Sequence, residues 1–257
     1  MILSKRVALG GVQLDELHES IVIRSIDPGV PDETVQTTSR MGGAGQRITG
    51  SHWEALEVAV NFAINVPKRD MTLRKQIFDA VMKWALRKGW LTVNWIENRR
   101  VYVDKVVLPS SGDLWNWTEE FTILFKAYNV PFWQDETPTT ASNALITSGS
   151  VQIEVGGNVQ SVLDVEFRNR SGMTINNFNV SAGGNTLYLS GIGLGGSSTL
   201  NIHHGTDGML RITSGGANVL SCRTGADDLY VNPGVVNVSI SADRAGQLTV
   251  RNYGRYV

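Results

Sequence analysis

Apolar and polar positions follow different rhythms along this chain, and the rhythms predict its elements. Ile21-Val-Ile-Arg-Ser-Ile26 reads as a strand. Leu56, Val58, Val60, Phe62 and Ile64 alternate with Glu57, Ala59, Asn61, Ala63 and Asn65, a period of two that marks a strand with one buried face, ended by Pro67. The period then changes. Asp70 is a helix N-cap, and Leu73, Ile77, Val81 and Trp84 recur at spacings of four, four and three. Arg74, Lys75, Asp79, Lys83 and Arg87 are assigned to the solvated side, and Gly89 to the position just past the helix end. Trp90–Ile96 and Arg99–Leu108 form a hairpin through Glu97-Asn98, and a long aromatic strand carries Trp115, Trp117, Phe121, Ile123 and Phe125 on one face. Ser39–Ile48, rich in Gly, reads as a turn-rich loop. These elements make an α+β unit of antiparallel strands with one helix laid on them.

Beyond residue 145 the helical period is gone. Short strands are predicted at Val151–Val155, Val162–Phe167, Thr174–Val180, Thr186–Ser190, Ser198–His203, Met209–Thr213, Val219–Arg223, Asp228–Val231, Val235–Ala242 and Gln247–Asn252. Separators such as Gly156-Gly157, Gly183-Gly184, Gly215-Gly216 and Ala245-Gly246 stand between them. Strands at this spacing point to a β-sandwich or barrel.

Composition sharpens the division. All seven Trp and every Lys precede Thr137, whereas 18 of the 27 Gly follow it. Trp133-Gln-Asp-Glu-Thr-Pro-Thr-Thr-Ala-Ser142 has the small polar character of a linker. The boundary is placed at about 136–146, giving domains 1–136 and 137–257. The 257 residues carry 23 basic and 24 acidic side chains, a net charge of −1, which argues against bulk electrostatic binding of nucleic acid or anionic lipid. A single cysteine, Cys222, excludes an internal disulfide and a multi-cysteine zinc site, and fits synthesis in a reducing cytoplasm. No run of ~18 apolar residues predicts membrane insertion. The apolar stretch after Lys5-Arg6 is too short and Gly-rich for a signal-peptide core.

Candidate chemistry is sparse. Gly191-Ile-Gly193-Leu-Gly195-Gly196 matches G-x-G-x-x-G, but a dinucleotide site needs a helix to follow, and Ser197-Ser-Thr-Leu-Asn-Ile alternates like a strand; a Gly-rich turn is the reading. His203-His204 sit on a strand, where neighbours point to opposite faces, so they do not converge on one metal and read as strand-end polar residues; the nearest acid in the chain is Asp207. His18 and His52 have no ligand spacing, and Arg99-Arg100 make too small a patch to hold phosphate. Glu119-Glu120 and Asp227-Asp228 read as surface acids, and Cys222 as a small half-buried side chain. No catalytic, cofactor-binding or metal-ligating residue is assigned, and no enzyme activity is expected.

The order of parts carries more information. The aromatic strand Phe121-Thr-Ile-Leu-Phe-Lys-Ala-Tyr-Asn-Val-Pro-Phe-Trp133 runs into the linker, and a Gly/Asn-rich β domain follows, closing on Gln247-Leu-Thr-Val-Arg-Asn-Tyr-Gly-Arg-Tyr-Val257. Taken with the alternating strand, helix and hairpin before it, this layout resembles the distal tail protein (Dit) family of siphophages and prophages. The resemblance implies a mostly β fold: an N-terminal antiparallel β-sandwich with one helix and a hairpin, then a galectin-like β-sandwich. It implies a structural protein of the phage tail tip, or baseplate hub, in the virion. There a homohexameric ring would join the tail tube protein to the tail-associated hub protein, offer its outside to receptor-binding proteins, and let DNA pass only as transit through the lumen. Pro28, Pro31 and the Gly-rich loop depart from the pattern, so no lumen-facing residue is carried across.

The rival reading is a carbohydrate-binding module of a surface or receptor-binding protein, since β-sandwiches commonly bind sugar. The second domain has no Trp to stack on a sugar ring, which leaves Tyr188 and Tyr230 as platforms, and galectin-type sugar binding is not expected.

Overall fold

The computed structural model describes residues 5–39, 46–67, 70–110 and 120–257. It is mostly β, with one α-helix among the described residues. The chain divides into two compact units, Met1–Trp133 and Gln134–Val257.

The first unit begins with β1 (Val7–Leu9), β2 (Val12–Gln13) and β3 (Ile21–Asp27). A two-stranded arm follows, β4 (Glu33–Ser39) with β5 (Gln46–Trp53), then β6 (Leu56–Ile64) and helix α1 (Met71–Ala85). After the helix come β7 (Gly89–Val93), β8 (Arg99–Val103), β9 (Lys105–Val107) and β10 (Phe121–Ala127). One sheet runs β3-β6-β10-β9 and another has β2-β1-β7-β8 in order. On β6 the predicted stripe of Leu56, Val58, Val60, Phe62 and Ile64 is buried. In register with it lie Phe121, Ile123 and Phe125, so the two strands present one aromatic-rich floor. The helix covers that floor: Phe78 meets Phe121 at 5.2 Å and Trp84 meets Phe125 edge-on at 5.8 Å. The Trp84 indole N–H reaches the Val12 carbonyl at 2.9 Å, so the helix also grips the second sheet's edge.

Asp70 caps α1 as expected, accepting from the Leu73 amide at 2.9 Å. Ile77, Val81 and Trp84 are buried as predicted, Leu73 is only half-buried, and the stripe is wider than predicted, taking in Arg74, Phe78 and Ala85. Arg74 is therefore not solvated. Its guanidinium lies over the Phe121 ring at 5.6 Å and donates to the Ile64 carbonyl at 3.4 Å, and burial lowers its pKa. Such a stem can cover apolar surface while its head satisfies a strand carbonyl. Gly89 also differs: the helix ends at cap Leu86, Lys88 takes the left-handed turn at φ +52°, and Gly89 opens β7.

The predicted hairpin pairs Leu91 with Val101, but its second arm breaks at Asp104, because β8 and β9 belong to different sheets. The Asp104 amide donates to Lys126 O, and its carboxylate accepts from the amides of Tyr128 and Asn129 at 2.7 and 2.9 Å. One carboxylate thus holds the switch between sheets. Trp115 and Trp117 lie outside the described residues. Part of the predicted loop Ser39–Ile48 is strand instead: Ser39 pairs Gln46 and Thr37 pairs Ile48. Threonine-rich polar sequence forms this arm without apolar alternation, so periodicity cannot reveal it.

In the second unit, β11 (Trp133–Asp135) leads to β12 (Thr139–Val155), β13 (Ser161–Asn169), β14 (Ile175–Ala182), β15 (Asn185–Leu194), β16 (Thr199–His204) and β17 (Leu210–Ser214). There follow β18 (Ala217–Asn218), a 3-10 turn at Leu220–Cys222, β19 (Arg223–Gly225), β20 (Tyr230–Val231), β21 (Gly234–Asn252) and β22 (Arg255–Tyr256). The main sheet has the order β18-β17-β16-β13-β21-β14-β15-β19, with β12 also paired to β21. The two strands predicted at Val235–Ala242 and Gln247–Asn252 are one, β21. Its first part pairs β14 and its last part pairs β13. A register break in β12 between Asn143 and Ser148 accompanies the bend. The two halves of the sheet share a single core, in which Phe167 and Phe178 meet at 4.9 Å. Gly246 sits beside that contact: a Cβ there would come within 2.3 Å of the Phe167 ring.

Two further expectations are corrected. Thr139–Ser142, read as linker, is strand paired to Thr249–Asn252, which suits its threonines. Val219–Arg223, read as strand, holds the 3-10 turn, because the Asn218 side chain accepts from Leu220 N at 3.0 Å and competes with ladder pairing. At the far end of β13, Asn169 is fully buried, and its amide donates to the carbonyls of Met173, Leu194 and Gly195, tying three chain segments together.

Asn169→Ala strips those buried carbonyls of their donor, and is expected to lower unfolding free energy by about 2–3 kcal/mol in urea titrations. Exposed Ser150→Ala should shift it by less than about 0.5 kcal/mol. Residues 134–257 expressed alone are expected to give a β-type circular dichroism spectrum and a single cooperative transition.

Candidate functional site

The structure sorts the candidates named from the sequence into structural and surface roles. The Gly191–Gly196 run lies at the end of β15, with Gly191 and Gly193 at φ +76° and +57°, where β15 bulges against β14. It leads into strand β16, not into a helix that could hold a pyrophosphate. Cys222 is half-buried, with its sulfur 3.8 Å from Gly191 O. Arg100 stacks over Trp90 at 4.1 Å, a cation–π contact on the hairpin. Of the acidic pair, Asp227 is exposed and bridges to Arg223, whereas Asp228 is buried. Their environments differ, but Asp228 is committed to another partner.

That partner is His204. Its Nδ1 lies 3.1 Å from Asp164 Oδ1, and its Nε2 lies 2.9 and 2.8 Å from the two Asp228 oxygens. The His204 side chain is only 8% exposed. Asp164 also accepts from the His204 amide, and Asp228 from Leu229 N. Burial lowers the pKa of the half-buried Arg255, and attraction from Asp228 and Asp164 opposes that shift. Burial opposes a charge on the ring, but hydrogen bonds and attraction from Asp164 and Asp228 outweigh it and raise the His204 pKa to about 9. With both ring nitrogens directed at carboxylates, the imidazole acts as a doubly donating cation that joins β16, β13 and the segment before β20. Asp207, the acid nearest in the chain, bridges to Arg211 instead. Asp164 and Asp228 are 40 and 24 residues from His204, so no local signal points to them. Among the described residues no group of three or more His, Cys, Asp or Glu is placed to hold a metal ion.

Beside this cluster, a hollow of about 270 Å³ is lined by Asp164, Glu166, Asn201, His203 and Arg251. Glu166 and Arg251 pair across it at 2.8 Å. In the first unit, a hollow of about 480 Å³ at the root of the arm carries Asp27, Asp32, Glu54 and Glu57, and Lys126 pairs with Glu57. The arm is the most exposed regular element there: residues 33–38 are all exposed, as are Ile48 and Thr49. Trp53 anchors its base edge-on against Phe132 at 5.3 Å.

His204 gains its proton more readily folded than unfolded, because its pKa rises from 6.5 to about 9. Its contribution is full below pH 6.5 and is lost as pH climbs to about 9. Stability of the native protein is expected to fall by roughly 3 kcal/mol across that window relative to His204→Gln, which should show a flat profile there. Urea midpoints measured from pH 6 to 10 test this.

Neither a protein-family model nor a curated relative matches the sequence. Solved structures do match its fold. The SPP1 Dit protein, described as a paradigm of the hub adsorption apparatus in phages that infect Gram-positive bacteria, aligns with a TM-score of 0.66 at 11% identity, over 97% of this chain and 98% of that one. A chain of the phage P2 baseplate in its calcium-activated conformation aligns with a TM-score of 0.49 at 7% identity, over 98% and 99%. The likeness to SPP1 Dit runs through both units, and this chain has the fold of a Dit distal tail protein.

Proposed function

We propose that the protein is a structural component of a phage tail tip. It assembles as a homohexameric ring that links the tail tube to the tail-associated hub, with the first unit building the ring and the second displayed outside it. It does no chemistry of its own. The whole-length likeness to SPP1 Dit supports the location, and the β4–β5 arm is the observation that carries assembly. An isolated two-stranded hairpin is marginally stable in water at best. This one spans seven and eight residues, and the described part of the chain lays no second layer on most of it. Val35 and Ile48 stand exposed on it at 43% and 65%. A neighbouring copy in a ring would supply the missing surface, and a head-to-tail contact repeated with closure gives a ring rather than a filament.

Light scattering of the purified protein is expected to give a mass six times that of the chain, and negative-stain images should show sixfold rings. Ile48→Asp should shift the equilibrium strongly toward the monomer while leaving the circular dichroism spectrum unchanged. A strictly monomeric protein at high concentration, with no rings on grids, would overturn the reading.

A further inference from the structure

The two outer faces of the second unit carry their charges in different places. One half of the sheet, over β13, β16 and β21, presents Asp164, Glu166, His203 and Arg251. The other half, over β12, β21, β14, β15 and β19, presents successive cross-strand rows without a charge. One row reads Ser148, Ser241, Asn179, Tyr188, Thr224 by register. The next reads Ser150, Ser239, Ser181, Thr186. Soluble surfaces carry charge on about a quarter to a third of positions, so an uncharged area this broad is unusual. Charge returns at its ends: Glu154, paired with Val235, is exposed at one, and at the other the exposed Asp243 accepts from the amides of Asn176 and Asn177, with exposed Arg244 beside it.

Within this face Tyr188 is 47% exposed, and its ring is laid over Gly225. A Cβ on Gly225, which sits at φ +89°, would stand 2.6 Å from the Thr186 carbonyl oxygen and 2.7 Å from the ring, so glycine leaves room for both. Asn179, its cross-strand neighbour, makes no side-chain hydrogen bond among the described residues, nor do the hydroxyls of Ser239 and Ser241.

We propose that this face binds a neutral glycan chain, with Tyr188 as the stacking platform and Asn179, Ser239 and Ser241 as hydroxyl partners. A pyranose offers an apolar C–H face and a rim of hydroxyls, which match one aromatic ring set among groups that both donate and accept. With no basic side chain in these rows and acidic Glu154 and Asp243 at their ends, the strip has little to attract an anionic polymer or nucleic acid. A protein partner would need an apolar interface core, and a single tyrosine among serines, threonines and amides does not provide one. This binding differs from the galectin-type site discounted above, which needs a tryptophan anchor. With one ring and few partners, monovalent affinity is expected near about 1 mM.

The test is saturation-transfer NMR and titration of the full-length protein with neutral hexasaccharides (α-glucan, β-glucan, galactan and chitin series), beside hyaluronan and polygalacturonate fragments. At least one neutral series should bind saturably, with transfer from tyrosine ring protons and no change between about 50 and 500 mM NaCl. Tyr188→Ala and Asn179→Asp should each weaken it about tenfold, with urea midpoints unchanged and Tyr230→Ala without effect. Failure of every neutral series to bind at about 10 mM, preference for the anionic fragments, or binding indifferent to both variants would overturn the proposal. Ring assembly, measured separately by light scattering, is unaffected by either result.

Discussion

Everything in the second unit hangs on one strand that is longer than the layer it belongs to. β21 runs nineteen residues and serves two half-sheets in turn. A strand shared in this way cannot stay straight: to bring both apolar faces onto one core it must bend between its partners β14 and β13. The bend has a steric condition. Phe167 fills the space against Gly246, and any side chain there would collide with the ring. With that space left open, Phe167 reaches Phe178 from the opposite half, and the core closes as a single cluster. The outer face that carries Glu166 and Arg251 and the one that carries Tyr188 are then the two backs of the same folded sheet.

The first unit meets its constraint differently. There the two sheets stay separate strips, and a carboxylate rather than a glycine governs the passage between them. Asp104 turns its own strand out of one ladder and holds the Tyr128–Asn129 backbone beside the other. Helix α1 then seals the aromatic floor with Phe78 and Trp84, and Arg74 completes the seal as a buried cation against Ile64 O and Phe121.

What can be read in the sequence follows from these mechanisms. β6, β10 and the Asp70-capped helix are legible because each buries one face and so leaves a period in the residues. The arm is not, because it buries almost nothing and its threonines carry only propensity. β21 looks like two strands because Ala245-Gly246 has turn composition, while its real role, a close approach to Phe167, is a long-range fact. Arg74 misleads for the same reason: a charge on a helix reads as solvated until a carbonyl and a ring are brought to it. The His204 cluster, assembled from strands far apart in the chain, leaves no local trace.

The placement of β21 also dictates a timetable. β12, β13 and β14 all precede it by many tens of residues, and β13 and β14 both take it as a neighbour. The β14 ladder cannot complete until the chain has been made through Ala242, nor the β12 and β13 ladders until it has been made through Asn252. Strands β1 to β10 all lie before residue 133, and the ladders among them do not wait for β21. During synthesis β1 to β10 can pair while β12 and β13 still lack β21, and closing those ladders costs loop entropy over roughly a hundred residues. One late strand is thus the gate through which the core of the second unit closes.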